Sequence, residues 1–345
     1  MEYIAEEVKR LADGTDQAGR RKMALALRDL SYSLEAPKDT ISRIVSSVLS
    51  GRYLRYFASF GMVTETAKDI FAANNITKAL ADPGKEAEVK FHFDTIGPVY
   101  QATPAFLRSH NFTNPESAVD CPFQLAYNTT KSNFDFFPEL PAESLETFDK
   151  YMSTRTAETA SWLSVYPLIE EVSNCGMEEV VFVDVGGGIG HQCVALRDKY
   201  PDLKGRVIVQ DLDHPIAGRI PHPSVKGMVH DFFNEQPVKG ARFYYLRAVL
   251  HDRPDEPCRI ILARLREALT EKSRILIEEM VLPNAGVDWA AAHTDLNMMS
   301  CSAVQERTQD QWESLLDGIG LRIVEQRSYH GGWSGYDSVI TVAKK

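Results

Sequence analysis

The sequence predicts an α/β protein: a parallel sheet with helices on both faces, preceded by a mainly helical segment. From Val180 onward, apolar runs of strand length alternate with stretches of helix length, the mark of strand–helix–strand units. The first of those runs, Val180–Val185, breaks into a loop with glycines at Gly186, Gly187, Gly188 and Gly190. A strand feeding such a loop and then a helix is where a doubly wound sheet binds a nucleotide-like cofactor. Ahead of it, apolar residues recur with helical spacing.

Composition narrows the possibilities. A chain of 345 residues with 44% hydrophobic side chains can fill a sizeable core in one large domain or two ordinary ones. A net charge of -10 leaves no basic face for a phosphate backbone, so a nucleic acid is not expected as partner, whereas a small apolar substrate fits. The first residues mix acids and bases, and no apolar run approaches the ~20 residues of a membrane span, so a cytosolic protein without a membrane partner is expected. Five scattered cysteines, never paired as CxxC, read as small buried thiols rather than a disulfide framework or zinc knuckle. Pairs such as His92-x-Asp94 and His251-Asp252 do not form a metal-ligand set, and no metal is expected.

In chain order, residues 1–35 read as helices with stripes Ile4, Val8, Leu11 and Met23, Leu27, Leu30, and residues 40–60 continue as helix, bent near Gly51. A short hairpin and a helix follow over GMVTETAKDIFAANNITKAL. Residues 91–141 are rich in aromatics, prolines and asparagines, including Phe123 and Tyr127, and supply either core packing or the wall of an apolar substrate pocket. A helix is expected over Ala142–Met152. A long one over Thr154–Val172, with Trp162, Val165 and Ile169 on one face, then leads into the second domain, with the border at residues 150/151. Strands are expected over 180–185, 207–210, 242–246, 274–279, 322–327 and 337–343, and helices over 190–199, 255–269, 288–301 and 309–317. Thr308-x-x-Gln311 is a capping box that starts the last helix.

The glycine spacing narrows the cofactor. A dinucleotide loop wants its third glycine three residues after the second, but here the pattern is Asp184-x-Gly186-x-Gly188-x-Gly190, followed by His191. Asp211, about twenty residues on at the end of the next strand, stands where a carboxylate accepts both hydroxyls of a ribose. His251 alone would pass for a capping or core residue. Imidazole titrates near working pH without a large shift, which makes a histidine chemically able to serve as a base.

These motifs resemble those of known enzymes. Asp184-x-Gly-x-Gly-x-Gly resembles motif I of S-adenosylmethionine-dependent methyltransferases, and LRYFASFGMV followed by FAANNITKAL resembles the winged-helix segment of caffeate- and hydroxyindole-type O-methyltransferases. FYYLRAVLHDRPDEPCRIIL is similar to that family's LK-x-x-x-HDW segment almost throughout. The resemblance implies a class I methyltransferase sheet over 151–345 and a winged-helix-like dimerisation and lid domain over 1–150, in a homodimer. It implies His251 as general base, flanked by Glu279 and Glu306, with Asp252 and Asp295 as nearby alternatives. Glu278 should face away from Glu279, since strand neighbours point to opposite sides. S-adenosylmethionine would be held by Asp184, Gly186, Gly188, Asp211, Leu212, Asp231, Phe232 and Arg247, which matches a family lysine. Arg253 stands where the family has tryptophan and would stack in its place. Phe123, Tyr127, Phe148, Met152, Asp295, Met298 and Met299 would meet the substrate. The expected reaction is cation-independent O-methylation of a small aromatic or polyketide-type hydroxyl. The alternatives are a methyltransferase-like pericyclase or dehydratase, as in some fungal proteins, that transfers no methyl, and a non-catalytic cofactor-binding regulator.

Overall fold

A computed structural model of the chain describes residues 53–68, 70–157, 161–329 and 335–345. The helices expected over 1–35 and most of 40–60 lie outside these residues. Contacts divide the described chain into two compact units: the residues up to Thr95 with Ala142–Thr154, and Ile96–Pro141 with Arg155–Lys345.

In the first unit, helix Tyr53–Ser59 leads to the expected hairpin, β1 (Thr64–Ala67) antiparallel to β2 (Ile70–Ala72). Helix Asn75–Leu80 starts there because Asn74 accepts the backbone N–H groups of Ile76 and Thr77 at 3.0 Å each and closes a capping box with Thr77. Helix Pro83–Lys90, capped by Asp82, runs into a π-helical turn at Phe91–Ile96. Helix Ala142–Ala157 completes the unit, with the Phe148 and Tyr151 rings packed 5.2 and 5.6 Å from Phe91.

The second unit holds a seven-stranded sheet of β3 (Val180–Val185), β4 (Arg206–Asp211), β5 (Val225–Val229), β6 (Phe243–Arg247), β7 (Arg274–Met280), β8 (Leu321–Ser328) and β9 (Asp337–Lys344). Its order is β5-β4-β3-β6-β7-β9-β8, parallel from β5 to β7 and antiparallel at β9. The strand order reverses between β3 and β6, and doubly wound sheets bind ligands outside the carboxyl ends of the strands at such a switch. Strand side chains alternate between faces, so Val183, Tyr244 and Ile277 enter one core with Leu265 and Trp312, while Phe182, Tyr245 and Leu276 enter another with Trp162 and Leu196. β5 and helix Asp213–Ala217 escaped the sequence reading because VKGMV is short and carries a glycine at its centre.

Two expectations change. The helix over 154–172 is interrupted: Ser161 caps a single 3₁₀ turn at Trp162–Ser164, and helix Leu168–Val172 begins only after Pro167, which has no N–H to continue a helix. Trp162 is fully buried, stacked on Phe182 at 5.6 Å, whereas Ile169 is exposed, so they do not share a face. The segment 96–141, read from sequence with the N-terminal domain, groups with the second unit. Tyr100 Oη and Asn133 Nδ2 reach His293 Nε2 (2.9 Å) and Ser302 Oγ (2.8 Å) on helix Trp289–Ser302.

Candidate active site

Beyond the carboxyl end of β3 the chain turns sharply, and the N–H groups of Gly186 and Gly187 both donate to Gln210 O, at 2.9 and 3.0 Å. Gly186 has φ +73, a left-handed conformation that glycine adopts freely. A Cβ on Gly187 would lie 2.4 Å from the Asp184 Cγ, so the loop packs directly on that carboxyl. A Cβ on Gly188 would meet nothing within 4 Å, which leaves the loop's outer side open.

The loop gathers the expected cofactor residues. Gly188 N donates to Asp211 Oδ2 at 2.8 Å, and Leu212, itself exposed, donates its N–H to Asp211 Oδ1 at 2.7 Å. His230 N donates to Asp211 O, bringing Asp231 beside it, where Asp231 Oδ1 accepts the Phe233 N–H at 3.0 Å. The Phe232 ring and Val249 both border Gly186. Asp184 lies beneath the loop, buried, with the Cys193 thiol as donor at 3.7 Å. Burial pushes its pKa up to about 7, the Glu278 charge adding to the rise.

Arg247, at the end of β6, gives its Nε to Glu278 Oε1 at 3.0 Å. The Tyr245 and Tyr329 hydroxyls donate to the same carboxylate, Tyr329 at 2.6 Å to Oε1. Glu278 and Glu279 do face opposite sides of β7, as strand geometry demands.

Around His251 the arrangement is more specific than the sequence suggests. Its Nδ1 lies 3.0 Å from Glu306 Oε1. Glu279 does not reach the ring: its Oε1 accepts the N–H groups of Val249, Leu250 and His251 at 3.1, 2.9 and 3.3 Å. Glu306 is in turn placed by Asp295, whose Oδ1 accepts the Glu306 N–H at 2.8 Å. Asp252 Oδ1 stands 3.6 Å from His251 Nε2, beyond hydrogen-bond length. The loop begins at Ala248, a non-glycine residue at φ +51.

A residue the sequence reading passed over secures this loop. The fully buried Arg307 side chain donates to Leu250 O and Arg253 O, both at 2.9 Å, and to Asp255 Oδ1 at 2.8 Å. Its guanidinium lies 5.3 Å from the centre of the Trp312 ring. Glu279 thus binds the loop's N–H groups while Arg307 binds its carbonyls. The available signal was adjacency: Arg307 follows Glu306 directly.

The electrostatics correct one expectation. Burial, the largest influence, lowers the pKa of His251, but Glu279, Glu306 and Asp252 more than reverse it and raise it to about 10. The ring therefore rests as an imidazolium at neutral pH, instead of titrating near it. Burial and Glu306 push Glu279 up to about 7 against the pull of His251.

Arg253 donates Nη1 to the Asp252 carbonyl, and its buried Nε has no hydrogen-bond partner among the described residues. Phe123 is fully buried against Tyr127 at 4.8 Å, while Met298 and Met299 are half-buried on helix Trp289–Ser302. Phe148 and Met152 lie on helix Ala142–Ala157 of the other unit.

Comparison with known proteins bears directly on this arrangement. The O-methyltransferase domain family matches residues 116–322. The chain belongs to that family. Demethylsterigmatocystin 6-O-methyltransferase of Aspergillus parasiticus is 38% identical over 369 residues, spanning 95% of each chain, and O-methyltransferase ucdC of Aspergillus ustus is 34% identical over the full length of both. Among solved structures, LepI in complex with SAM matches with a TM-score of 0.75 and 34% identity, covering 100% of this chain and 98% of that one. A structure described as a pericyclic reaction enzyme matches at the same TM-score and identity. The sheet is thus that of the class I methyltransferases, and the O-methyltransferase family match spans β3 to β7 and ends at the start of β8.

Proposed function

We propose that the protein is an S-adenosylmethionine-dependent O-methyltransferase acting, without a metal ion, on a hydroxyl of a small aromatic or polyketide-type molecule. The observation that carries this reading is the setting of His251. With Nδ1 on Glu306, its Nε2 makes no hydrogen bond among the described residues and, once the ring has lost its extra proton, can take one from an acceptor hydroxyl.

The chain's residues fit the cofactor: the outer side of the loop is open at Gly188, and the carboxylates of Asp211 and Asp231 stand near it. When bound, S-adenosylmethionine supplies an electrophilic methyl on a sulfonium. Asp211 would hold the ribose, Asp231 with Phe232 the adenine, and Arg247 the amino-acid end, while Asp184 supports the loop from below. Met298 and Met299 would border the acceptor, and Arg253 would stack in place of the family tryptophan. Glu306 keeps the His251 ring in one orientation, Asp295 keeps Glu306 in place, and Glu279 fixes the loop that carries the ring. The protein would form a homodimer through its N-terminal segment, measurable by sedimentation, and the scattered free thiols suit the cytosol. Among the described residues, no helix is long and apolar enough to cross a membrane.

Incubation with methyl-labelled S-adenosylmethionine and a panel of phenols tests the assignment: label must appear in a product. The resting imidazolium favours a second reading, a ring closure or dehydration in which His251 donates a proton and no label moves. The pH profile separates the two. A base must be deprotonated, so kcat/KM for methylation should rise with pH along a limb well above the ordinary histidine value of about 6.5. Glu306→Gln removes an anion that stabilises the imidazolium, and should shift that limb to lower pH. A rate that falls over the same range assigns His251 as the acid.

A further inference from the structure

The buried acid on the other face of β7 has no place in the proton chemistry of His251. Glu278, 6% exposed, accepts three donors: the hydroxyls of Tyr245 and Tyr329 and the Nε of Arg247. They come from two places in the fold: Tyr245 and Arg247 belong to β6 and Tyr329 follows β8. Both hydroxyls are held above the ordinary phenol range, by burial first and then by the Glu278 charge, so they remain donors. Asp184, opposite Tyr245 on β3, is raised toward neutrality, which leaves Glu278 as the partner of Arg247.

The geometry of Arg247 adds the second observation. Its side chain is 30% exposed, and Nε is its single hydrogen-bonding nitrogen among the described residues. Nη1 and Nη2 have no protein acceptor there, and neither is buried. A guanidinium fixed at one edge with its other nitrogens unpaired is a receptor for a planar anion.

We propose that Glu278, with Tyr245 and Tyr329, is a positioning residue that pins Arg247 by Nε so that its terminal nitrogens take the carboxylate at the amino-acid end of S-adenosylmethionine. The proposal rests on the cofactor assignment above. It also gives a reason for arginine where the family resemblance expects lysine. An ammonium has a single nitrogen and must divide itself between Glu278 and the ligand, whereas a guanidinium serves both.

Calorimetry with S-adenosylhomocysteine and its decarboxylated analogue tests this without turnover. The parent should bind the carboxylate-bearing ligand about tenfold or more tightly, the worth of a charge-assisted pair. Arg247→Met and Glu278→Gln should each abolish that preference, and the double variant should lose no more than Arg247→Met alone. Tyr329→Phe removes one donor but keeps the acid, so it should lower the preference partially and provides the measurement if Glu278→Gln does not fold. Arg247→Lys should fail to restore it. A preference retained in Glu278→Gln, or in Tyr329→Phe when that is the folded variant, overturns the positioning role, as do additive losses in the double variant. A parent that binds neither ligand overturns the cofactor assignment itself.

Discussion

His251→Ala is expected to lower methyl transfer by about 10²- to 10⁴-fold, the usual contribution of a general base, while the affinity for S-adenosylmethionine stays near that of the parent. The ring is hydrogen-bonded to Glu306, and the loop that carries it is fixed through backbone groups bound to Glu279 and Arg307. Truncating the side chain therefore leaves the loop's hydrogen bonds intact. Single-turnover methylation alongside calorimetry distinguishes the two effects. A variant that turns over at the parental rate removes His251 from the chemistry, and one that loses cofactor affinity shows the ring to be structural.

The second large effect is on stability. Arg307→Leu is expected to cost about 3 kcal/mol or more, because the carbonyls of Leu250 and Arg253 each lose a charged donor at roughly 1–3 kcal/mol apiece. The Asp255 side chain is 40% exposed and can return to water, so it adds little to that cost. Arg307→Lys keeps the charge but not the fork that reaches both carbonyls at once, and should lie between. Urea unfolding measures both variants. Stability within about 0.5 kcal/mol of the parent would count against the clamp.

Much of this was legible in the sequence, for physical reasons. Parallel strands buried on both faces read as apolar runs, so β3, β4, β6 and β7 stand out, and the Thr308 capping box places the helix Gln309–Asp317 to the residue. The glycine loop and the segment around His251 were visible because local chemistry dictates their residue types. Pro167 is the local signal for the break in the expected long helix, and the helical spacing of Trp162, Val165 and Ile169 masks it. What stayed hidden depends on neighbours distant in sequence. The imidazole pKa reflects three acids, two of them from other elements, and whether Glu279 meets a ring or a backbone is set by how β7 lies beside the loop after β6.

Glu278 and Glu279 are adjacent in sequence yet serve opposite sides of one strand, the first turned to Arg247 and the second to the loop of His251. That arrangement governs which changes the strand can tolerate during evolution. A point substitution on either face retunes one function and spares the other, so cofactor preference and proton chemistry can drift separately. A single-residue insertion or deletion earlier in β7 would turn both carboxylates to the opposite face and put Ile277 or Met280 in one of their two places. Natural or engineered diversity in this strand should therefore consist of substitutions at constant length.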